Sequence, residues 1–297
     1  MSNLFGMGRP RTRVQPNYSG GRSGGRRGCR GGQLGIALVM VVIALVSYFG
    51  SSQMNPVTGE KQYVKIDPDQ EIALGLQAVP QLAQQHGGAS RDVEGQATVT
   101  RVGTAIVERS DASKGGYPYK FHLLADPNTV NAFALPGGQV FITKALYDKL
   151  ETEGQLAGVL GHEVGHVVGR HGAEHLAKQQ LTQGLAGAAV IAATDPESPG
   201  SGAQAAAVAM AVGSLVNMKY GRDDELESDR LGVRFMAQAG YNPESMIGVM
   251  KILAEAGGGG RQPEFFSTHP NPENRIEMIQ RAIQAEFPDG LPDGLID

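Results

Sequence analysis

Two histidines four residues apart, in the segment His162-Glu163-Val164-Gly165-His166, most constrain what this chain can fold into. Residues i and i+4 of a helix lie on the same face, one turn apart. Thr152 and Gln155 form a capping-box pattern just upstream. Apolar residues continue at helical spacing on both sides of the segment; they are Leu156, Val159, Leu160, Val167 and Val168. The sequence therefore predicts a helix that presents two imidazoles to one ion.

Two imidazoles with an adjacent carboxylate are typical of a hydrolytic zinc site. Zinc accepts neutral ring nitrogens in a tetrahedral shell that keeps one position open. Glu163 projects about 100° round the helix from His162, where it can act as general base on metal-bound water. A chain of this length contains such a motif by chance about once in a hundred, so the motif alone is only suggestive.

A third protein ligand must come from elsewhere in the chain. The acidic run from Asp223 to Asp229 precedes an apolar helical pattern, and Glu225 lies four residues before Asp229. Glu225 could ligate the metal while Asp229 binds the second ring nitrogen of a ligand histidine. The same run would equally suit the first turn of a solvated helix, where acidic side chains are favoured.

Three segments together resemble the M48 zinc metallopeptidases, over roughly residues 65–285. They are Asn131 to Gly138, His162 to His166 followed by Arg170-His171, and Glu225 to Gly232. The resemblance implies that Glu225 is the third ligand of one Zn²⁺ per chain, because it is the first glutamate of the family's acidic motif. Ser228 stands where the family more often has alanine.

A fourth segment is similar to the periplasmic and mitochondrial-type members of that family. It contains Thr268, His269 and Pro270, with Arg275 beyond them. We predict that His269 approaches the open position of the metal, where it either blocks that position or stabilises the oxyanion. The alternative is an ordinary surface histidine in a loop.

The order of the elements predicts a mainly helical α+β fold, with a zincin-like metalloprotease domain at 67–287. Strands are predicted at 119–124, 132–135 and 139–143. Helices are predicted near 69–86, 92–109, 143–150, 153–181, 222–239, 243–256 and 271–285. The Ala- and Gly-rich runs at 181–194 and 203–218 are interpreted as helices packed on the protein body, with a membrane hairpin as the alternative.

The N-terminal region differs in composition from the rest of the chain. Residues 1–59 contain seven arginines but no lysine and no acidic residue, so the remainder has a net charge of −11. Residues 1–32, rich in Gly and Arg, are predicted to be disordered. The uncharged run Leu34–Phe49 predicts a transmembrane anchor at 33–50, with a cleaved signal peptide as the alternative. Residues 51–66 are interpreted as a linker, and 288–297 as a C-terminal tail.

The arginine excess before the uncharged run also predicts an orientation. It indicates a cytoplasmic N-terminus, a single pass through the inner membrane, and a protease domain in the periplasm or another extracytoplasmic compartment. Anionic lipid headgroups are the expected partners of the arginines. The Gly/Arg repeat at residues 20–28 also resembles segments that bind nucleic acid, but it lacks the interleaved aromatic residues that would stack on bases.

The combined pattern predicts a zinc-dependent endopeptidase that cleaves extended or misfolded proteins in quality control. A catalytically silent, chaperone-like module of the same fold is the alternative. An edge strand above the metal is expected to pair with the backbone of an extended peptide, although the same residues would suit a core hairpin. The candidate residues of this strand and its turn are Asn131, Ala132, Phe133, Gly137 and Gly138.

Overall fold

The computed structural model describes residues 28–193, 210–215, 218–257, 263–270 and 274–297. Its helices are α1 (Gly28–Phe49), α2 (Pro68–Gln85), α3 (Val93–Glu108), α4 (Lys144–Tyr147), α5 (Glu153–Val168), α6 (His171–Ala193), α7 (Arg222–Ala239), α8 (Ser245–Ala256), α9 (Glu264–Thr268) and α10 (Arg275–Glu286). The strands are β1 (Ser52–Met54), β2 (Lys61–Tyr63), β3 (Lys120–Leu124), β4 (Ala132–Leu135) and β5 (Gln139–Thr143). A mainly helical chain with two small sheets agrees with the predicted class.

Helix α5 lies at the centre of the core, and all its residues from Gly154 to Val168 are buried. The Thr152 hydroxyl accepts a hydrogen bond from the Gln155 amide at 3.2 Å, which caps the helix where the sequence predicted. Helices α3, α7 and α8 pack around α5. The central position of α5 means that its polar residues must find partners inside the protein.

Small residues allow α5 and α7 to approach closely. A Cβ atom on Gly165 would lie 2.9 Å from the backbone oxygen of Ser228, and one on Gly232 would lie 3.2 Å from the backbone nitrogen of His162. Any larger side chain at these two glycines would push the helices apart. The small side chain of Ser228 is itself fully buried in this contact. This packing brings the acidic run of α7 against the histidines of α5.

The three-stranded sheet has the order β3-β5-β4, so β4 is an edge strand. β3 pairs with β5 in parallel and β4 pairs with β5 in antiparallel orientation, with Phe133 opposite Phe141. Gly137 and Gly138 form the β4–β5 turn with φ angles of 81° and 96°, a region that favours glycine. The three strands lie within one residue of their predicted positions.

The predicted continuous helix over 153–181 is wrong, because α5 ends at Val168 and α6 begins at His171. Arg170, between them, has a φ of 55°, in the left-handed region. Its Nε donates to Glu71 Oε1 at 2.7 Å, and its Nη2 donates to the Ile66 carbonyl at 2.9 Å. These contacts with distant residues offset the backbone strain at Arg170, so the break had no local signal.

The range interpreted as a linker contains the β1–β2 hairpin. The Asn55 side chain organises its turn by accepting from the amides of Val57 and Thr58. The same side chain donates to the Val168 carbonyl at the end of α5, at 2.7 Å. The hairpin is therefore tied to the helix that carries the histidines.

Helix α1 precedes this hairpin and packs against α6, where Gly184 lies beside Ala44. Among the helices that the structure describes, none is both long and apolar enough to cross a membrane. The span at 33–50 therefore stays a prediction. Of the segment predicted to be disordered, 1–27 lies outside the described residues and 28–32 belongs to α1.

Two further predictions fall partly on residues that are not described. Within the run at 203–218, the structure describes residues 210–215, which are helical, and residue 218. The helix predicted at 271–285 corresponds to α10, and residues 271–273 before it lie outside the described part. Of the run at 181–194, residues 181–193 form the end of α6, which contacts α1, and residue 194 lies outside the described part. At the other terminus, Ile296 forms a parallel bridge with Tyr241.

Candidate metal centre

Four buried side chains from three parts of the fold converge beside α5. They are His162 and His166 on α5, Glu225 on α7, and His269 directly after α9. One potential ligand atom from each lies within 4.8 Å of all the others. The structure therefore brings together the three predicted metal ligands and the predicted loop histidine.

The ring nitrogens and the carboxylate of this group are in close contact. Nε2 of His162 lies 3.0 Å from Nε2 of His166. The two Glu225 oxygens lie 3.5 and 3.4 Å from these nitrogens, and Nδ1 of His269 lies 3.0 Å from Glu225 Oε1. Imidazole nitrogens and a carboxylate oxygen form the donor set that zinc prefers.

Asp229 and Arg275 fix the position of His162. The Nδ1 atom of His162 donates to Asp229 Oδ1 at 2.8 Å, and Arg275 Nε donates to Asp229 Oδ2 at 2.8 Å. Burial acts to raise the pKa of Asp229, but the charge of Arg275 and the hydrogen bond from His162 outweigh it and lower that pKa. Asp229 is thus an ionised acceptor that turns Nε2 of His162 toward the cluster.

Arg275 also lies 3.0 Å from Glu225 Oε2, in ion-pair contact but outside hydrogen-bond geometry. This guanidinium is 2% exposed and therefore compensates two buried carboxylates at once. The sequence had marked Arg275 only through the family resemblance. Nothing in its local pattern indicates that α10 would direct it at α7.

Two aromatic rings support the histidines from the other side. Tyr220 stacks on His166 with ring centroids 3.8 Å apart, and Phe265 stacks on His269 at 4.4 Å. Sequence analysis missed both, because Tyr220 lies in a different segment from His166, and Phe265, four residues before His269, belongs to none of the motifs. Their packing restricts the orientation of the imidazoles and excludes water.

The two α5 histidines have opposite electrostatic environments. Burial disfavours the charged form of His162, but its hydrogen bonds to Asp229 and Glu225 outweigh this and raise its pKa to about 9. Burial lowers the pKa of His166 well below its usual value. The two histidines therefore differ in their affinity for a proton, although each must offer a deprotonated nitrogen to bind a metal ion.

Glu163 is the least satisfied group of the site. Both of its carboxylate oxygens are buried without a hydrogen-bond partner among the described residues, and Nε2 of His269 lies 3.5 Å from Oε1. Burial raises the pKa of Glu163. A buried carboxyl without partners costs free energy unless a water or a cation satisfies it. The site therefore fits a metal with a water beside Glu163.

A cavity of about 260 Å³ extends from this cluster along β4. Asn131 and Phe133 line it, together with Tyr220 and His269. The side chain of Ala132 instead belongs to the apolar core. Gly137 and Gly138 lie at the far end of β4 and are not part of the cavity lining; a Cβ on Gly137 would lie 2.4 Å from the backbone of Ile72 in α2.

Comparison with known proteins places this arrangement in a family. The model of peptidase family M48 matches residues 94–283, which include the whole cluster. The chain belongs to peptidase family M48. The resemblance inferred from the sequence motifs is thereby confirmed, and this M48 chain carries the motif histidines and the acidic motif in contact with each other.

Similar M48 relatives come from bacteria and mitochondria. The beta-barrel assembly-enhancing protease of Escherichia coli (strain K12) is 31% identical over 189 residues, which cover 60% of this chain and 37% of the relative. The mitochondrial metalloendopeptidase OMA1 of Schizosaccharomyces pombe is 28% identical over 238 residues, covering 79% and 67%. The chain spans well under half the length of the first relative and about two thirds of the second.

We expect the Asp229→Asn substitution to weaken zinc binding by about 10- to 100-fold, the usual effect of losing the carboxylate behind a ligand histidine. The neutral amide would no longer compensate Arg275 or fix the tautomer of His162. Competition with a chromophoric chelator measures the affinity. Asp224→Asn is the matched control, since Asp224 also lies on α7 but pairs with His175 at 2.7 Å. Equal affinities in both variants would contradict this role of Asp229.

Proposed function

We propose that this chain is a zinc-dependent endopeptidase of protein quality control. The observation that carries the proposal is the buried convergence of His162, His166 and Glu225 beside Glu163, whose carboxylate has no hydrogen-bond partner in the described part of the chain. The first three would hold the ion, which supplies a Lewis acid for the peptide carbonyl and for an attacking water. The similarity to proteins named as a protease and a metalloendopeptidase supports this over a silent, chaperone-like module.

Glu163 is the proposed general base. Its carboxylate takes a proton from the attacking water and passes it to the nitrogen of the leaving amine, so the group must hold a proton between the two steps. Burial raises its pKa, which favours such temporary protonation. Asp229 and Arg275 keep His162 in place during this cycle through the 2.8 Å contacts already described.

His269 is proposed to close the site at rest. Two histidines, Glu225 and His269 together would give four protein ligands, as in structural zinc sites, whereas catalytic sites leave one position open. The close contact of His269 with both Glu225 and Glu163 favours a blocking role over oxyanion stabilisation. Cleavage then requires His269 to move away.

The edge of β4 is the proposed docking site for substrate. The amide of Thr143 donates to the Asn131 carbonyl, so Asn131 and Thr143 form a hydrogen-bonded pair. Hydrogen-bonded and non-hydrogen-bonded pairs alternate along an antiparallel ladder, and the amides of Ala132 and Ala134 therefore point away from β5. An extended peptide could pair with these groups. The adjoining cavity is lined by apolar side chains such as Phe133 and by polar ones such as Asn131, so it could receive both kinds of side chain from an unfolded segment.

Helix α1 is the proposed attachment to the inner membrane, as a single anchor with the protease domain in the periplasm or an equivalent compartment. Several of its apolar side chains face solvent, including Leu38, Ile43 and Val46, each more than 60% exposed. The arginines before it would stay in the cytoplasm beside anionic lipid headgroups.

The Glu163→Gln variant should lose at least about 100-fold in kcat/KM on casein, because a neutral amide cannot accept the proton. Its zinc content should equal that of the wild type, since Glu163 is not a proposed ligand. Full activity in this variant would remove Glu163 from the mechanism.

In the same assay, His269→Ala should raise kcat by vacating the fourth ligand position, and an unchanged kcat would exclude any role for His269.

The Ala132→Pro variant should raise KM by about tenfold, the equivalent of one lost hydrogen bond with a peptide backbone. Zinc content and kcat should change little, because the amide that is lost does not pair with β5. Ala132→Ser retains the amide and is the control. The same KM in all three proteins would show that substrate does not pair at this edge.

The orientation can be tested in spheroplasts of a bacterial host that express the full chain with an N-terminal tag. Externally added protease should digest the domain after α1 and spare the tag. A protected domain would overturn the proposed orientation and, with it, an extracytoplasmic class of substrates.

A further inference from the structure

The second ring nitrogen of His166 contacts another histidine rather than a carboxylate. Nδ1 of His166 lies 2.9 Å from Nδ1 of His171, the first residue of α6. Nε2 of His171 lies 3.3 Å from Glu227 Oε2 on α7. His166, His171 and Glu227 thus form a chain from the candidate metal centre to the protein surface, where Glu227 is 17% exposed.

The chemistry of this chain assigns its protons. A carboxylate can only accept, so Nε2 of His171 carries a proton that it donates to Glu227. In a neutral imidazole the other nitrogen, Nδ1, is then an acceptor. Nδ1 of His166 must therefore be the donor, which leaves Nε2 of His166 with a free lone pair. That atom lies 3.0 Å from Nε2 of His162.

The fold holds His171 firmly in this position. The side chain of His171 is 1% exposed and lies against the backbone at Gly169, where a Cβ atom would come within 2.4 Å of its ring. The hydroxyl of Ser228 lies 3.4 Å from Nδ1 of the same ring. Arg170, with its left-handed backbone, sets the angle at which α6 leaves α5. The helix break therefore directs His171 back at His166.

We propose that His171 and Glu227 are positioning residues, which hold His166 in the tautomer that offers Nε2 to the metal. This deepens the proposed function and rests on it. Asp229 fixes the tautomer of His162 by direct contact, whereas the tautomer of His166 is fixed by the neutral imidazole of His171, which is itself bound to Glu227. The two ligands are thus supported by different elements, α7 with α10 for His162 and α6 with α7 for His166.

The first test observes the tautomer directly in metal-free full-length protein labelled with ¹⁵N at its 7 histidines. The ¹⁵N shifts of His166 should show a protonated Nδ1 in the wild type. This form should be lost in His171→Leu and kept in His171→Asn, whose amide oxygen can replace the acceptor. A protonated Nε2 at His166 in the wild type would overturn the proposal, whether or not the protein cleaves peptides.

The second test measures zinc affinity by chelator competition and the visible spectrum of the Co²⁺-substituted protein. His171→Leu and Glu227→Ala should each bind zinc about 10- to 100-fold more weakly and change the Co²⁺ spectrum. His171→Asn should restore most of the affinity. His175→Ala, one turn further along α6 and paired with Asp224, should behave as wild type. Equal affinity in His171→Leu and His175→Ala would show that His171 only fills space.

Discussion

The close contact between α5 and α7 is the constraint on which the rest of the structure depends. Gly165 and Gly232 allow the two backbones to approach to a distance that a single Cβ atom would prevent. At that distance His162 reaches Asp229, and Glu225 reaches both histidines. The helices carry complementary residues at one-turn spacing, so a single packing contact aligns several polar pairs at once.

This arrangement buries charge at a considerable cost. Glu163, Glu225, Asp229 and Arg275 are all 2% exposed or less. Burial acts to raise the pKa of Glu225, but the nearby histidines hold that pKa well below its usual value. Removing one partner of such a group typically costs about 3–5 kcal/mol, because the other charge stays buried. Among the residues that the structure describes, neither oxygen of Glu163 has a hydrogen-bond partner, which stability alone would not favour and which leaves the carboxylate free to act as a base.

Elements with strong local signals could be predicted closely. Thr152 caps α5 with a side-chain hydrogen bond at the predicted helix start, and α2 begins at Pro68, one residue before its predicted start. The Pro136-Gly137-Gly138 turn separates β4 from β5 as expected. The β1–β2 hairpin and the break at Arg170 could not be predicted, because their stabilising partners lie about 100 residues away in the chain.

The sequence by itself determined the helix that presents His162 and His166, the acidic helix with Glu225 and Asp229, and membership of family M48, because local periodicity and motif spacing encode them. Only the tertiary structure decided which side chains surround these residues. It stacked Tyr220 on His166, placed Arg275 between Glu225 and Asp229, and placed His171 against Nδ1 of His166. Such contacts join residues on separate elements, and they depend on helix packing distances that no local pattern specifies.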